Sequence, residues 1–474
     1  MKNWKSVENQ GVDKENSSCR TYFSGDNADG ECLPTRASEH AGRQPFDEGL
    51  PLIIPRSEHP ISRKDIDREA LKVLYRLKDH GFIAYLVGGS VRDLLLGKRP
   101  KDFDVGTNAR PEEIRKIFAH SRIIGKRFRL VHVYFRGGKV IEVSTFRRRA
   151  EEDVECLQDD RLENDVYGSP QEDAFRRDLT INGLFYNIAD FSVIDHVGGM
   201  ADLNAGVIRV IGEPDRRFSR DPVRMMRAIR HAARCGFVIE PKTWDAILRN
   251  GQKICMCATP RIRDEWLKDI QSGASRAWAE LMLKSGLFHV IFPGYAHALD
   301  GSGAEETVRL LLALFAHVDT MISSGSPVDE SFLLALFAYP ALEVKSEWDA
   351  LRTDRLRWPT AQVRELLNAL IFPYDFKKAV RDRASLILAN LFPLDLCMKK
   401  GSWPKRVWNK PTFQDTVRLF NAVQEARGLP GIGPDPHLAQ PDRDDRSPRR
   451  RGRGRKRRSR PSATEAEREG DSSH

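Results

Sequence analysis

Three carboxylates stand on two apolar segments of the sequence. Asp102 and Asp104 belong to the segment 102–105, and Glu142 belongs to the segment 139–146. Because side chains alternate along a strand, all three are predicted to point away from the core. Carboxylate oxygens are ligands that hard divalent cations prefer, and three such groups would repel one another unless cations neutralised them. The alternative is a solvated strand face.

A glycine pair lies at a predicted strand-to-helix corner. Gly88 and Gly89 separate the apolar run 84–87 from a helix predicted over 90–96. Glycines let backbone N–H groups approach an anion closely, and a helix start adds unpaired N–H groups. The alternative is an ordinary strand–turn–helix corner. Beside three acids, however, a turn that can hold phosphate indicates metal-assisted nucleotidyl transfer.

The elements that must position these residues mix strands and helices up to about residue 200. Ser62 with Asp65 predicts a helix start, Ser90 and Asp93 fit a capping box, and Pro111 opens a third helix. Apolar runs predict strands over 84–87, 102–107, 130–135, 139–146, 184–188 and 192–196. After Arg220 the apolar spacing stays helical, with breaks, to about Ala426.

These patterns predict an α+β fold: an N-terminal head with a mixed sheet and helices, followed by all-helical domains. The chain is divided into a disordered N-terminal arm (1–50), a catalytic head (51–200), a helical neck (201–270), a helical body and tail (271–427) and a disordered basic tail (428–474). We expect the neck to bind the nucleobase and RNA, and the body and tail to bind RNA.

The net charge of +10 belongs to one short segment. Residues 446–460 contain nine arginines and one lysine, and outside them basic and acidic residues balance at 67 each. This run predicts a polyanionic partner. No stretch is apolar enough for a membrane helix, and residues 1–19 do not form a secretory signal. Seven sparse cysteines favour reduced thiols, so we predict a cytoplasmic protein without a membrane partner.

Several motifs together resemble one known family. The segments 88–93 and 102–104 are similar to the signature of class II template-independent nucleotidyltransferases, the bacterial poly(A) polymerases and CCA-adding tRNA nucleotidyltransferases. The segment 176–184 resembles the family's arginine–arginine–aspartate segment, and 221–224 resembles its base-selecting segment. Arg220 stands where the family usually has Glu. The segments 54–59, 125–133 and 172–178 resemble the poly(A) polymerase branch.

The resemblance implies a role for each matched residue. Asp102 and Asp104 would hold two Mg²⁺ ions, and Glu142 would support the nucleophile side, which makes these three the predicted catalytic residues. The predicted nucleotide-binding residues are Gly88, Gly89, Arg92, Asp93, Arg177, Asp178, Asn182, Asp221, Arg224 and Arg227. Among them the glycines and Arg92 would hold phosphates, Asp178 the ribose, and Asp221 with Arg224 the base. The basic tail would bind RNA through Arg449, Arg450, Arg451, Arg453, Arg455, Lys456, Arg457 and Arg458.

The resemblance therefore implies a polynucleotide adenylyltransferase that adds AMP from ATP to RNA 3′ ends, releases pyrophosphate and promotes RNA decay. ATP is the implied substrate, Mg²⁺ the implied cofactor, and RNA-decay machinery a possible class of protein partner. Two alternatives stay open at this point. One is CCA addition to tRNA, and the other is a catalytically silent RNA-binding scaffold whose basic tail carries the function.

Overall fold

The computed structural model describes residues 50–125, 129–148, 167–300, 303–344, 360–391, 394 and 411–433. The predicted N-terminal arm over 1–50 lies outside these ranges apart from residue 50. The predicted basic tail over 428–474 lies outside them apart from residues 428–433.

A mixed eight-stranded sheet organises the head, as predicted. Its strands are β1 (Leu52–Ile54), β2 (Ala84–Val87), β3 (Asp104–Thr107), β4 (Ser121–Ile124), β5 (Leu130–Tyr134), β6 (Val140–Thr145), β7 (Leu184–Asn187) and β8 (Val193–Asp195). Their order across the sheet is β1-β8-β7-β2-β3-β6-β5-β4. Only β3 and β6 pair in parallel among these described strands. The predicted hairpins at 130–146 and 184–196 are confirmed.

Alternating side chains give the outer strands two different faces. On β5 and β6 the apolar residues are buried, namely Val131, Val133, Ile141 and Val143. They face the helices α1 (Arg68–Asp79) and α3 (Pro111–Ile117), which pack on this side of the sheet. Glu142 alternates with them and is exposed on the opposite face. The sheet thus separates a core side from a side that is free for chemistry.

The capping box predicted at Ser90 and Asp93 is wrong, and the helix predicted to start at Ser62 begins later. Ser62 accepts only from the Lys64 backbone N–H at a short 3₁₀ turn, and α1 begins one turn later because Asp67 accepts from the backbone of Glu69 and Ala70. The helix α2 (Gly89–Leu95) has Gly88 as its N-cap without a side-chain cap.

At α2 the predicted capping residues have other partners. The Ser90 hydroxyl donates to the Val87 carbonyl at 3.0 Å, and the Asp93 carboxylate accepts from Arg92. Local pattern predicted the helix itself, but ion pairs with the adjacent Arg92 and with the distant Arg234 determine the partners of Asp93. The strand β3 also begins two residues later than predicted, so Asp102 precedes the strand and is exposed.

The described chain beyond the head is mostly helical, but the predicted all-helical neck is wrong in one respect: the short strands β9 (Val207–Ile208) and β10 (Val238–Ile239) pair in parallel within it. The remaining elements are α4 (Pro170–Arg176), α5 (Gly199–Ala205), β9 (Val207–Ile208), α6 (Pro214–Arg220), α7 (Val223–Cys235), β10 (Val238–Ile239), α8 (Pro241–Asn250), α9 (Thr259–Ile270), α10 (Ser275–Lys284), α11 (Leu287–Ile291), α12 (Ala296–Asp300), α13 (Ala304–Ser323), α14 (Glu330–Val344), α15 (Thr360–Ile371), α16 (Lys378–Ala389) and α17 (Phe413–Ala426). Among the described residues, no helix combines the length and apolar character needed to cross a membrane.

Helix α7, called the neck helix below, connects the head to the helical part. It packs on α9 and α10, and its buried apolar face includes Met226 and Ile229. Trp266 of α9 and Trp278 of α10 are also buried, as expected for core residues rather than stacking platforms. The polar face of the neck helix is turned toward the nucleotide-binding residues predicted in the head.

Candidate active site

Asp104 and Glu142 lie opposite each other on the parallel strands β3 and β6. Residues in such a register project from the same face of a sheet, so the two carboxylates share one surface. The exposed Asp102 lies two residues before Asp104 in the chain, and its negative charge raises the pKa of Asp104. The structure therefore brings together the three carboxylates predicted as the catalytic set.

The electrostatics of this set match a cation site. The pKa of Asp104 is raised to about 6, first by burial and then by the negative charges of Glu142 and Asp102, against which the Arg177 cation acts. The donors are all carboxylate oxygens, which fit a hard divalent cation. Within the described ranges no group of three or more His, Cys, Asp or Glu side chains could hold a metal ion. Asp102 and Asp104 stay the predicted pair of cation ligands, and Glu142 lies beside Asp104.

Gly88 allows an arginine to lie directly over the chain at the end of β2. Its φ of 72° and ψ of −135° are open to glycine but not to other residues, and a Cβ there would lie 2.9 Å from Arg177 Nη1. Arg177 is held by Asp173 Oδ2 at 2.9 Å from Nη2 and by the Asn182 carbonyl at 3.3 Å from Nη1. A cation is thus fixed between the glycine turn and the carboxylates.

Arg92 is almost fully buried, and its donors have partners within the protein. Nε and Nη2 donate to Asp93 Oδ1 at 2.9 and 2.7 Å, and Nη1 donates to Asn182 Oδ1 at 2.6 Å. Gly89 packs beside it, since a Cβ there would lie 3.4 Å from Arg92 Nη2. In this structure Arg92 orients its neighbours, whereas the resemblance implies a phosphate contact. Arg234 of the neck helix donates to Asp93 Oδ2 at 2.7 Å.

Asp178 is a buried carboxylate that an arginine from the neck helix keeps charged. Its Oδ2 lies 2.7 Å from Arg227 Nη2, and its Oδ1 accepts from Asn182 Nδ2 at 3.3 Å. Burial raises the pKa of Asp178, but the Arg227 cation, the Asn182 hydrogen bond and the Arg224 cation together hold it well below its usual range. The side chain therefore remains an acceptor throughout the physiological pH range.

Asp221 and Arg224 hold buried polar atoms that lack hydrogen-bond partners among the described residues. These atoms are Asp221 Oδ1, Arg224 Nε and Arg224 Nη1. The two side chains touch, with Arg224 Nε 3.5 Å from Asp221 Oδ2, and Arg261 of α9 lies 2.9 Å from the same oxygen. Buried polar groups are nearly always paired in native proteins. One free acceptor beside one free donor therefore suits a ligand with the complementary pair.

The neck helix contributes more contacts than the sequence motifs indicated. Arg224, Arg227, His231 and Arg234 are spaced by three, four and three residues, and each contacts a residue of the head. His231, Arg234 and Arg261 were not among the predicted site residues. The i, i+3, i+7, i+10 spacing of basic residues and histidine is the signal that could have identified the first two.

Comparisons with known proteins identify the family of this chain. Residues 84–209 match the family model described as the Poly A polymerase head domain. Residues 236–299 match the model described as a probable RNA and SrmB-binding site of polymerase A. Poly(A) polymerase I of Haemophilus influenzae is 36% identical over 389 residues, which cover 79% of this chain and 84% of that protein. The chain belongs to the poly(A) polymerase family.

A second member of the poly(A) polymerase family matches more strongly over a shorter length. Poly(A) polymerase I of Escherichia coli O6:H1 is 46% identical over 299 residues, which cover 61% of this chain and 64% of that protein. The chain thus matches just under two thirds of the length of this relative. The structure of a Bacillus stearothermophilus CCA-adding enzyme in complex with CTP resembles the chain with a TM-score of 0.57 at 25% identity, covering 78% of this chain and 80% of that one.

Some predictions for this family member fall outside the described residues. They are the RNA-binding residues Arg449, Arg450, Arg451, Arg453, Arg455, Lys456, Arg457 and Arg458. Residues 126–128 of the poly(A) polymerase-like segment 125–133 also lie there. The remaining predicted site residues are all described, and they form two groups. The three carboxylates lie on one face of the head sheet. The nucleotide-binding residues lie at the glycine turn, on the neck helix or in contact with it.

Proposed function

We propose that this protein is a poly(A) polymerase, which adds AMP from ATP to RNA 3′ ends without a template and releases pyrophosphate. The observation that carries the proposal is the position of Arg177 between the Gly88 turn and the paired carboxylates of Asp104 and Glu142. Phosphoryl and nucleotidyl transfer depend on positioning and charge neutralisation, which this arrangement supplies. The names of the family relatives supply the product.

The carboxylates would hold the cofactor. Asp102 and Asp104 fit Mg²⁺ because their donors are oxygens and because Asp104 is held near two other negative charges. When bound, Mg²⁺ supplies Lewis-acid activation of the RNA 3′ hydroxyl and neutralises the triphosphate. Glu142 would accept a hydrogen bond from the 3′ hydroxyl and so orient it toward the α-phosphate. No covalent intermediate with the protein is required.

The remaining residues would bind ATP in three parts. Arg177, beside Gly88, would pair with the triphosphate, since a guanidinium has a fixed fork of donors. Asp178 would accept from the ribose hydroxyls. Asp221 Oδ1 would accept from the adenine amine, and Arg224 Nη1 would donate to the adjacent ring nitrogen. The partnerless state of these two atoms supports that assignment, because an adenine edge presents one donor beside one acceptor.

CCA addition is the second candidate, and one observation favours it. The similar solved structure is a CCA-adding enzyme with CTP bound, and it covers most of both chains. Cytosine also presents an amine beside a ring acceptor, so the base-reading pair alone suits either nucleotide. The experiment is extension of a short generic RNA with each nucleotide separately. Processive ATP incorporation supports poly(A) synthesis, and CTP incorporation that stops after two residues would establish the rival.

Substitution of the carboxylates tests catalysis itself. Asp102→Ala with Asp104→Ala should abolish incorporation while RNA binding persists. Unchanged incorporation would refute the assignment of these two carboxylates as catalytic, and absence of incorporation by the native chain would leave the RNA-binding scaffold. We further propose that the protein acts in the cytoplasm on RNA 3′ ends and that the tails promote RNA decay, with decay enzymes as partners. The family model described as a probable RNA-binding site and the relatives named as poly(A) polymerases support RNA as the substrate.

A further inference from the structure

His231 lies on the neck helix at the point where that helix meets the nucleotide-binding residues of the head. Its Nδ1 is 3.2 Å from Arg92 Nη1, and its Nε2 is 3.4 Å from Asn182 Nδ2. Arg92 and Asn182 are 139 and 49 residues away in sequence. One side chain of the neck thus touches both residues that orient the buried carboxylates of Asp93 and Asp178.

The hydrogen-bond chemistry determines which nitrogen of His231 carries the proton. Arg92 can only donate, so Nδ1 must be unprotonated to form a hydrogen bond with it. A neutral ring then carries its proton on Nε2, and the longer contact with the Asn182 amide is packing rather than a hydrogen bond. The charged donor is the stronger of the two, and it is also the nearer. His231 is therefore an acceptor toward Arg92.

The charges around His231 favour this neutral form. Burial lowers the pKa of His231 well below its usual value, and the cations of Arg92, Arg230 and Arg227 lower it further, against the opposing charge of Asp178. A protonated ring would place two donors between Arg92 and the Asn182 amide, with no acceptor for either. Only an uncharged acceptor fits between these groups.

We propose that His231 is a positioning residue of the nucleotide site: its Nδ1 holds the Arg92 guanidinium, and through Arg92 it fixes Asn182 and the ribose-binding Asp178. The path is continuous in the structure. Arg92 Nη1 donates to Asn182 Oδ1 at 2.6 Å, so the amide nitrogen of Asn182 faces Asp178 Oδ1 at 3.3 Å. Without the histidine acceptor the guanidinium can turn, and the amide loses its fixed orientation.

The test separates the two ring nitrogens. Asparagine at position 231 places its side-chain oxygen near the position of Nδ1, whereas glutamine places its oxygen near that of Nε2. We expect His231→Asn to retain the KM for ATP within about twofold, and His231→Gln and His231→Phe to raise it about tenfold, the effect of one hydrogen bond to a charged group. The KM for RNA and the kcat should change less than the KM for ATP.

Met226→Leu is the matched control, because Met226 is fully buried on the same helix and the exchange nearly conserves volume. It should leave the KM for ATP unchanged. Thermal unfolding of every variant separates loss of fold from loss of positioning. If the Phe variant does not fold, the comparison of the Asn and Gln variants alone decides the test. Equal KM values for the Asn and Gln variants, or a native KM in both Gln and Phe, would overturn the proposal.

This inference rests on the proposed function for the identity of its substrate, but different experimental results would refute the inference and the proposed function. If the native chain uses CTP instead of ATP, the same comparison of variants is made with CTP. If it incorporates no nucleotide, the proposed function is wrong. Equilibrium binding of ATP to the same full-length variants then decides the role of His231, with the same order expected: Asn close to native, and Gln and Phe weaker.

Discussion

The Cα atoms of Asp104 and Glu142 are direct partners across the parallel strands β3 and β6, so two carboxylates stand side by side on one face of the sheet. Such a pair costs free energy when both groups are charged and no cation is present. The pKa of Asp104, raised to about 6 by burial and by Glu142, expresses that cost. It also makes the cation site testable through stability, independently of activity.

Removing the charge at Asp104 should stabilise the protein when divalent cations are absent. The pKa of Asp104 is higher in the folded protein than its unfolded value of about 3.9. Its protonated form therefore contributes its full free energy of stabilisation below about pH 4, and this contribution is lost as the pH rises through about 6. In EDTA at pH 7.5, Asp104→Asn should therefore unfold at a higher temperature than the native chain. The gain is at most about 3 kcal/mol and should vanish near pH 4.

Magnesium provides the control for this measurement. Added Mg²⁺ should raise the unfolding temperature of the native chain, since a ligand that binds only the folded state stabilises it. It should raise that of Asp104→Asn much less. An equal response of both proteins to Mg²⁺ would contradict the assignment of Asp104 as a ligand.

Substitution of Gly88 should impair ATP use more than stability alone explains. In Gly88→Ala the new Cβ meets Arg177 Nη1 at 2.9 Å, and the backbone conformation is strained by roughly 1–3 kcal/mol. The displaced guanidinium should raise the KM for ATP at least about tenfold, by the loss of one charge-assisted interaction. Steady-state kinetics with varied ATP and thermal unfolding give the two quantities.

Gly97→Ala is the matched control for this change. Gly97 follows α2 with a φ of 68°, and a Cβ there meets nothing within 4 Å. The variant should lose about 1 kcal/mol of stability from the positive φ and keep its KM for ATP. If both alanine variants bind ATP equally well, the position of Arg177 over the turn has no role in binding.

The contrast between α2 and the β5–β6 hairpin explains what the sequence could predict. The hairpin depends on alternation between adjacent residues. The positions of its strands, and the side of the sheet that each residue faces, therefore follow from the local pattern. The capping box at Ser90 and Asp93 also follows a local rule, but Arg234, which is 141 residues away, pairs with Asp93 instead. Interactions between distant residues are invisible to spacing rules.

The same contrast holds within the candidate site. Asp104 and Glu142 were predicted to share a face because each alternates with apolar neighbours, and their pairing agrees. The role of His231 was not predicted, because the spacing places it on one helix face with Arg227 and Arg234 but does not indicate its partner. Only the tertiary contact with Arg92 reveals it. The motif residues were found from sequence, but the contacts that orient them required the fold.

The neck helix should depend on a buried ion cluster for its attachment to the helical part. Arg230 lies 2.6 Å from Glu265 and 2.7 Å from Asp269, and the Asp269 side chain is fully buried. Arg230→Met leaves the buried Asp269 without its cation, whereas Glu265 keeps Lys268 at 3.1 Å, and the change should cost about 3–5 kcal/mol of stability. Denaturant unfolding of the full chain, followed by helical circular dichroism, measures this loss.

An exposed pair of similar length is the control for the ion cluster. Arg276 and Glu280 lie 3.2 Å apart at the surface of α10. Arg276→Met should cost less than about 1 kcal/mol, because exposed ion pairs contribute little. Equal losses in the two methionine variants would show that the buried cluster does not anchor the neck helix.

The basic run at 446–460 should determine how salt affects RNA binding. Replacing its nine arginines and one lysine by serine removes charges that release counterions from RNA, so affinity should fall and the salt dependence should flatten. The KM for ATP on a short primer should stay unchanged, because no predicted ATP contact lies in this run. Deletion of residues 461–474, which leaves the basic run intact, is the control. An unchanged salt slope in the serine variant would exclude the run from RNA binding.

Asp221 and Arg224 should determine which base is accepted. A ligand that leaves a buried acceptor and donor unpaired is strongly rejected, and binding of the matching base satisfies both. Asp221→Ala should therefore lower kcat/KM for ATP at least about a hundredfold and reduce the preference for ATP over UTP. Arg220→Glu, which restores the residue usual in the family, is the control: it should alter kcat/KM but keep the ratio of ATP to UTP use. An unchanged ratio would assign base choice to the buried pair, whereas a changed ratio would give the exposed position 220 a part in reading the base.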